Sequence, residues 1–400
     1  MTHHPRPIHS AIHDDLSCDR AWVEVDLDAI AHNIRALQGL LQPQTGLMAV
    51  IKADAYGHGA VRVAQLAERL GVTSFGVATV PEGIELRQAG ITRPIVILGA
   101  VHARHQIEAI AHWHLEPTLV SLPQAQLFSE ALTAQADPLP VHLKIDTGMT
   151  RLGPLWTEGA IFIQQVQQLP GLAIVSIYSH LATADDLDPS FMKEQQRRFE
   201  QVIQEVNQQS SLQSSLNNRP TLHLSNSAGT LFSSAFHYDM VRTGLALYGI
   251  YPGVQFRDVV ELRPALQVRT RITHLKTVPA GAGVSYGHRF ITPSTCRIAT
   301  LGIGYADGVP RNLSTRIAAI IQGQRVPQVG TITMDQIMID VTQVPQAQVG
   351  DVVTLLGQDG DAAIWVEEWA DLLDTIPYEI ICGLQQRLPR VAIAQKPRVL

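Results

Sequence analysis

Short apolar runs alternate with amphipathic stretches over the first 250 or so residues. Residues 22–27 read as a strand, and a helix follows from about Asp28 with Ile30, Ile34, Leu37 and Leu41 on one face. A rhythm then begins. Apolar strands are predicted at 47–51, 75–78, 95–98, 118–120, 141–145, 172–178, 222–224 and 239–242. Helices fall between them at 61–70, 81–89, 103–112, 123–134, 159–169 and 190–208, with a short one from Ser227. Gly71 and Gly90 stand where left-handed helix caps belong. Apolar strands separated by helices imply a parallel sheet. Eight such units in ~200 residues fit a (β/α)₈ barrel. Counting units does not show closure, so an open doubly wound sheet is the rival architecture. The Gln/Ser/Asn-rich stretch 208–220 reads as a flexible excursion.

The pattern changes near residue 260. Leu266 to Thr273 alternate apolar and polar with period two, and further strands are predicted at 296–303, 316–321, 332–341 and 351–356. Gln358, Asp359 and Gly360 form a turn signal, and 365–373 reads as a short helix. The expected plan is therefore a tail, 1–20, a barrel, 21–260, and a mainly-β domain, 261–400. The 46% apolar content of the 400-residue chain can supply cores for both.

A net charge of −6, with no basic run, gives no electrostatic footprint for nucleic acid or an anionic membrane surface. No apolar stretch reaches the ~18 residues that a membrane-spanning helix needs. The substrate is expected to be a small molecule. Cys18, Cys296 and Cys382 are odd in number and lack metal-ligand spacing, which fits a reducing, cytoplasmic setting. The tail carries His3, His4, His9 and His13 and reads as disordered, without the apolar core of a signal peptide. Adventitious metal binding is the second reading of those histidines.

In a barrel, the loops after the strand C-termini build the active site. Those positions here hold Lys52, Asp146 with Arg151, His180, Ser225-Asn226-Ser227 and Arg242-Thr243-Gly244. Taken alone, Lys52 reads first as a surface lysine at a loop start. A desolvated lysine there can instead form an imine with an aldehyde. Tyr56 and the Gly57-His58-Gly59 run shift the balance, because a glycine-flanked loop lets backbone approach an anion. The loops after strands seven and eight, with the turn opening at Ser227, are the usual phosphate site of such barrels. Lysine and phosphate site together are what pyridoxal phosphate requires.

The run Ala49-Val50-Ile51-Lys52-Ala53-Asp54-Ala55-Tyr56-Gly57-His58-Gly59 resembles the cofactor-lysine signature of alanine racemases, with Asp54 where many members carry Asn. Eight further stretches match in order. They begin at Lys144, Ser179, Ser225, Val241, Gly283, Gly304, Met334 and Pro377, and the resemblance spans about 22 to 390. It implies a barrel followed by a β domain, pyridoxal 5'-phosphate as cofactor, and racemisation of alanine supplying D-alanine for peptidoglycan. Lys52 would hold the cofactor and act as a base on one face of the substrate Cα, with Tyr286 opposite. A tyrosine at its reference pKa of ~10 is a poor base, so nearby charge must depress it. His180 and Arg242 are the candidate network.

The same resemblance places Arg242 at the pyridine nitrogen, where it can only donate. Arg151 would contact the cofactor phenolic oxygen and the substrate carboxylate. Tyr56, Ser227, Gly244, Leu245 and Tyr378 would hold the phosphate, and Tyr305 and Met334 would line the substrate entrance. Lys144 matches a lysine that is carbamylated in some members; an ordinary strand lysine is the other reading. Without the resemblance, Tyr286 reads as a hairpin aromatic, and a surface arginine at a strand end is the second reading of Arg242. The family completes its site across a homodimer; completion within one chain is the alternative. Thr331 stands where many members carry an arginine of the entrance corridor, which predicts altered substrate access with racemisation retained. The competing activities are a broad-specificity racemase, a decarboxylase of the same fold, and a non-catalytic cofactor carrier. A decarboxylase would present a cysteine motif that Cys296 and Cys382 do not form, and carriers lack the second domain.

Overall fold

A computed structural model describes residues 20–133, 137–208 and 219–393. These form two compact units, one of residues 29–263 and the other of the residues up to 28 together with 264 onward.

The first unit is the parallel barrel. Its strands are, in chain order, Gly46–Val50, Ser74–Val77, Ile95–Ile97, Glu116–Leu119, Leu139–Lys144, Leu172–Tyr178, Thr221–His223 and Met240–Thr243. Each pairs in parallel with its chain neighbour through the seventh, and the first also pairs with the eighth. Backbone hydrogen bonds from Asp239 N to Leu222 O and from Arg242 N to Ser225 O, both 3.0 Å, join the two end strands and close the ring. Closure rules out the open-sheet rival. The strands are apolar because both faces are covered: Phe75, Val96 and Val141 are fully buried. Helices fall where the amphipathic pattern placed them, among them Ala60–Arg69, Val80–Gln88 and Ser190–Gln208, with Gly71 and Gly90 at positive φ after the first two.

The second unit is mainly β, a nine-stranded sheet with a separate two-stranded hairpin, Gly283–Val284 with Phe290–Ile291. Strand Ala21–Asp26 belongs here and not to the barrel that was expected to start at 21. It lies antiparallel to Leu266–Val278 and parallel to Arg390–Ile393. An apolar strand advertises that it will pair but not with whom. Its partners lie some 240 residues or more downstream. Arg20, assigned to the loose tail, is also tied down, its guanidinium donating to both Asp307 carboxylate oxygens at 2.8 and 2.7 Å.

Other boundaries differ for local reasons. Strand Gln324–Val329 was not expected, because its polar residues and Pro327 hid it. It pairs with Ala318–Ile321 across a turn with Gln322 and Gly323 at positive φ. The strand expected at 332–341 begins only at Ile337, leaving 330–336 as a loop. Tyr378 lies in the first turn of an unexpected helix, Pro377–Gly383. Among the described residues Cys296 is buried and Cys382 exposed. Residues 1–19, with Cys18 and the tail histidines, and 209–218 of the expected excursion lie outside the described residues.

Candidate active site

Lys52 follows the first barrel strand, with only the buried Ile51 between. The next four residues, Ala53 to Tyr56, sit at φ 51–54° and ψ 40–51°, a left-handed helical turn. An L-residue there costs roughly 1–2 kcal/mol, so the turn persists because its surroundings over-determine it. Glu82 holds its start. One carboxylate oxygen accepts from Ala53 N at 2.9 Å, and the other from Ala78 N at 2.7 Å and Thr79 N at 3.1 Å. Asp54 holds its end, accepting from Ala60 N at 2.7 Å where the next helix begins. An asparagine would present the same Oδ1, which explains why either residue serves at 54. Behind the turn His58 stacks on Tyr248 at 4.3 Å, and the Tyr248 hydroxyl donates to Val50 O at 3.1 Å.

The turn delivers buried Tyr56 to the loops after strands seven and eight. A Cβ built on Gly244 would lie 2.6 Å from the Tyr56 hydroxyl oxygen, so only glycine permits this approach. Ser227 Oγ accepts from Gly244 N at 3.0 Å and Ala246 N at 3.4 Å, binding the two loops together. Leu245 is buried beside it, and the buried Thr243 hydroxyl has no hydrogen-bond partner among the described residues.

A set of cations shares this barrel mouth. Lys144 ends the fifth strand, and burial, then the positive charges of Arg151 and Arg242, lower its pKa to about 7. Arg151 is exposed, on a loop shaped by Asp146, whose Oδ1 accepts from Gly148 N at 2.8 Å and Thr150 N at 3.1 Å. Arg242 is not a surface arginine. It is 4% exposed, and burial lowers its pKa to about 10. Its acceptors are neutral: Ser179 O at 2.7 Å, Leu224 O at 3.0 Å, His223 Nδ1 at 2.9 Å and His180 Nδ1 at 3.2 Å. Its charge also lies over the Tyr178 ring. Burial, and then Arg242, hold His180 and His223 well below their usual pKa, so both are neutral at physiological pH.

Arginine only donates, which fixes the tautomers. His180 and His223 both accept on Nδ1 and carry the proton on Nε2. His223 Nε2 then donates to Ser176 Oγ at 3.0 Å, Ser176 to His142 Nδ1 at 2.5 Å, and His142 Nε2 to Glu116 at 2.8 Å. A polar chain thus runs through the barrel interior from the Arg242 cation to a carboxylate. None of its lower members was singled out from sequence. Histidines inside otherwise apolar strands, as in Val141-His142-Leu143 and Leu222-His223-Leu224, were the available signal.

In the β unit, Tyr286, Tyr305 and Met334 are exposed, at 72%, 40% and 53%. Tyr305 N bonds to Thr333 O and Ala306 N to Met334 O, both at 3.0 Å, which brings Tyr305 and Met334 together. Thr331 is 1% exposed, and its hydroxyl donates to Tyr286 O at 2.7 Å. A short side chain here folds under the Tyr286 turn. Tyr378 is half-buried at its helix start.

Pyridoxal phosphate fits the barrel residues. The mouth gathers Lys52, Lys144, Arg151 and Arg242, and the carboxylates of Asp146 and Glu82 already accept from backbone N–H groups of their loops. Such a mouth calls for an anion. Ser227, the Thr243 hydroxyl and the Tyr56–Gly244 approach make a polar cradle on one side of it. Overpacking a tight contact costs about 1–3 kcal/mol, so Gly244→Ala should raise the dissociation constant for the cofactor about tenfold, read by fluorescence titration. An unchanged constant would remove this cradle from the site.

Residues 25–252 match the family model for the alanine racemase N-terminal domain, and residues 265–392 that for the C-terminal domain. An alanine racemase of Nostoc sp. is 55% identical over 376 residues, which is 94% of this chain and 96% of that protein. The solved alanine racemase of Clostridium difficile 630 superposes with a TM-score of 0.87 at 35% identity, covering 94% and 96% of the two chains. That of Bartonella henselae, solved with covalently bound pyridoxal phosphate, gives a TM-score of 0.82 at 30% identity, covering 94% and 99%.

Proposed function

The chain belongs to the alanine racemase family and interconverts L- and D-alanine with pyridoxal phosphate, and we propose that Lys52 and Tyr286 are its two proton-transferring groups. The observation that carries the assignment is Lys52 at the end of a barrel strand, on a rigid left-handed turn, within a mouth of cations. When bound, the cofactor holds the substrate amine and draws electrons away from the Cα–H bond. Racemisation then needs a proton to leave one face of Cα and return on the other. The Lys52 amine serves one face and the Tyr286 hydroxyl the other.

The remaining side chains hold and tune. Arg151 would pair with the substrate carboxylate and with the cofactor phenolic oxygen. Arg242 would donate toward the pyridine nitrogen, which would leave that nitrogen unprotonated and the ring a weaker electron sink. Neutral His180 presents its Nε2 proton, a donor suited to a tyrosinate oxygen. Tyr56, Ser227, Gly244, Leu245 and Tyr378 hold the phosphate. Tyr305 and Met334 line the substrate entrance.

A homodimer with shared sites is part of the same proposal. Tyr286, Tyr305 and Met334 are large, exposed side chains of the β unit, as residues that complete a partner's site would be. D-alanine for peptidoglycan, made in the cytoplasm, is the role that follows. Among the described residues no helix is long and apolar enough to cross a membrane. The relatives do not favour a decarboxylase, a carrier or a broad-specificity racemase.

The direct test incubates the purified protein, loaded with cofactor, with each alanine enantiomer while optical rotation is followed. Both solutions should decay to zero rotation. Persistent rotation would sink the assignment. A second expectation concerns Lys144. With a pKa of about 7 its amine is increasingly neutral from pH 6 to 8, and only the neutral amine adds carbon dioxide. Intact-mass measurement should show one added carbon dioxide whose occupancy rises with pH and bicarbonate and is lost in Lys144→Met. A mass insensitive to both leaves Lys144 an ordinary lysine.

A further inference from the structure

We propose that Thr331 and Ser285 form a reciprocal clasp that positions Tyr286 for proton transfer, making Thr331 a positioning residue of the reaction. The proposal rests on the assignment of Tyr286 as one of the two bases.

Tyr286 gains little from its own surroundings, being 72% exposed at the head of a single helical turn, Tyr286–His288. Within its own chain, its orientation comes from the backbone on either side. That backbone is unusual. Ser285 lies at φ 64°, ψ −170°, a region that only glycine enters readily, and Gly287 and His288 also have positive φ. A strained conformation survives only where other interactions hold it.

Two hydrogen bonds do so. The Ser285 hydroxyl donates to Thr331 O at 2.7 Å, and the Thr331 hydroxyl donates to Tyr286 O at 2.7 Å. Each residue gives its side chain to the other's segment, so the two backbones are stitched on both sides of the residue 285–286 peptide. The approach needs Gly330, where an added Cβ would lie 2.7 Å from Val284 O and 3.1 Å from Ser285 Cβ. Gln328 holds the far side, its Nε2 donating to Gly330 O at 2.9 Å. Thr331 is 1% exposed, so its hydroxyl has no solvent alternative to Tyr286 O. An arginine at 331 would lack this short hydroxyl. This chain thus uses the position to brace the tyrosine's backbone.

The effect is on geometry, and misplacing a reacting group by about an ångström can slow a reaction up to 100-fold. The test compares Thr331→Val, Thr331→Ser and Tyr286→Phe in the cofactor-loaded enzyme in D₂O. Racemisation and α-proton exchange with retention are measured for each enantiomer. Thr331→Val should lower turnover about 10- to 100-fold. Exchange with retention should survive for one enantiomer only, as in Tyr286→Phe, and Thr331→Ser should restore wild-type behaviour. Hydrogen exchange of residues 285–288 should accelerate in Thr331→Val with and without cofactor. Parallel loss of exchange on both faces, or turnover within about twofold of wild type, would overturn the clasp. If Tyr286→Phe itself lacks the one-faced signature, the base assignment fails instead, and the clasp with it. Should Thr331→Val not fold, Ser285→Ala removes the opposite hydrogen bond and must give the same signature; a wild-type ratio there overturns the proposal.

Discussion

Lys52→Ala should abolish interconversion of the alanine enantiomers, lowering turnover by about 10⁴-fold or more, because in the proposed roles one substitution removes both the cofactor's covalent anchor and one of two bases. Borohydride should no longer leave the cofactor attached to the chain. The fold should tolerate the change. Backbone contacts hold the left-handed turn after Lys52, chiefly those to Glu82 and Asp54, and alanine keeps the backbone intact. Lys52 is also one of the cations that depress Lys144 and His180. Its loss should leave both easier to protonate. Racemisation surviving within about tenfold would place the chemistry elsewhere.

Tyr286→Phe should lower racemisation by about 10²- to 10⁴-fold, the range for loss of a positioned acid–base group. The change deletes one hydroxyl from a residue that is 72% exposed, so its cost in stability should stay within about 0.5 kcal/mol. The informative result is the asymmetry. With one base gone, the other still exchanges the α-proton on its own face, and one enantiomer takes up solvent deuterium faster than it racemises. Equal loss of exchange for both enantiomers would show that Tyr286 supports the site without serving a face.

Lys52, the proposed cofactor lysine, stood out because the sequence states both its type and its place, at the end of an apolar strand ahead of a glycine-flanked loop. The turn that follows did not. Ala53, Asp54, Ala55 and Tyr56 carry no local signal for left-handed geometry, which is imposed from Glu82 on the next helix unit. Arg242 offers a similar contrast. An arginine at a strand end has a surface arginine as its second reading. Only closure of the ring, joining strands seven and eight, buries it among His180, His223 and two carbonyls.

Periodicity determined the alternation of strands and helices, the parallel order of the barrel, and the switch to β structure near residue 260. These follow from which faces are apolar, a property written residue by residue. Partnership was decided in three dimensions. Strand Ala21–Asp26 joined the far end of the chain, Gln324–Val329 paired despite a polar sequence, and Thr331 turned under Tyr286. Pairing, burial and the pKa values that follow from them depend on neighbours distant in sequence, and no local pattern encodes those.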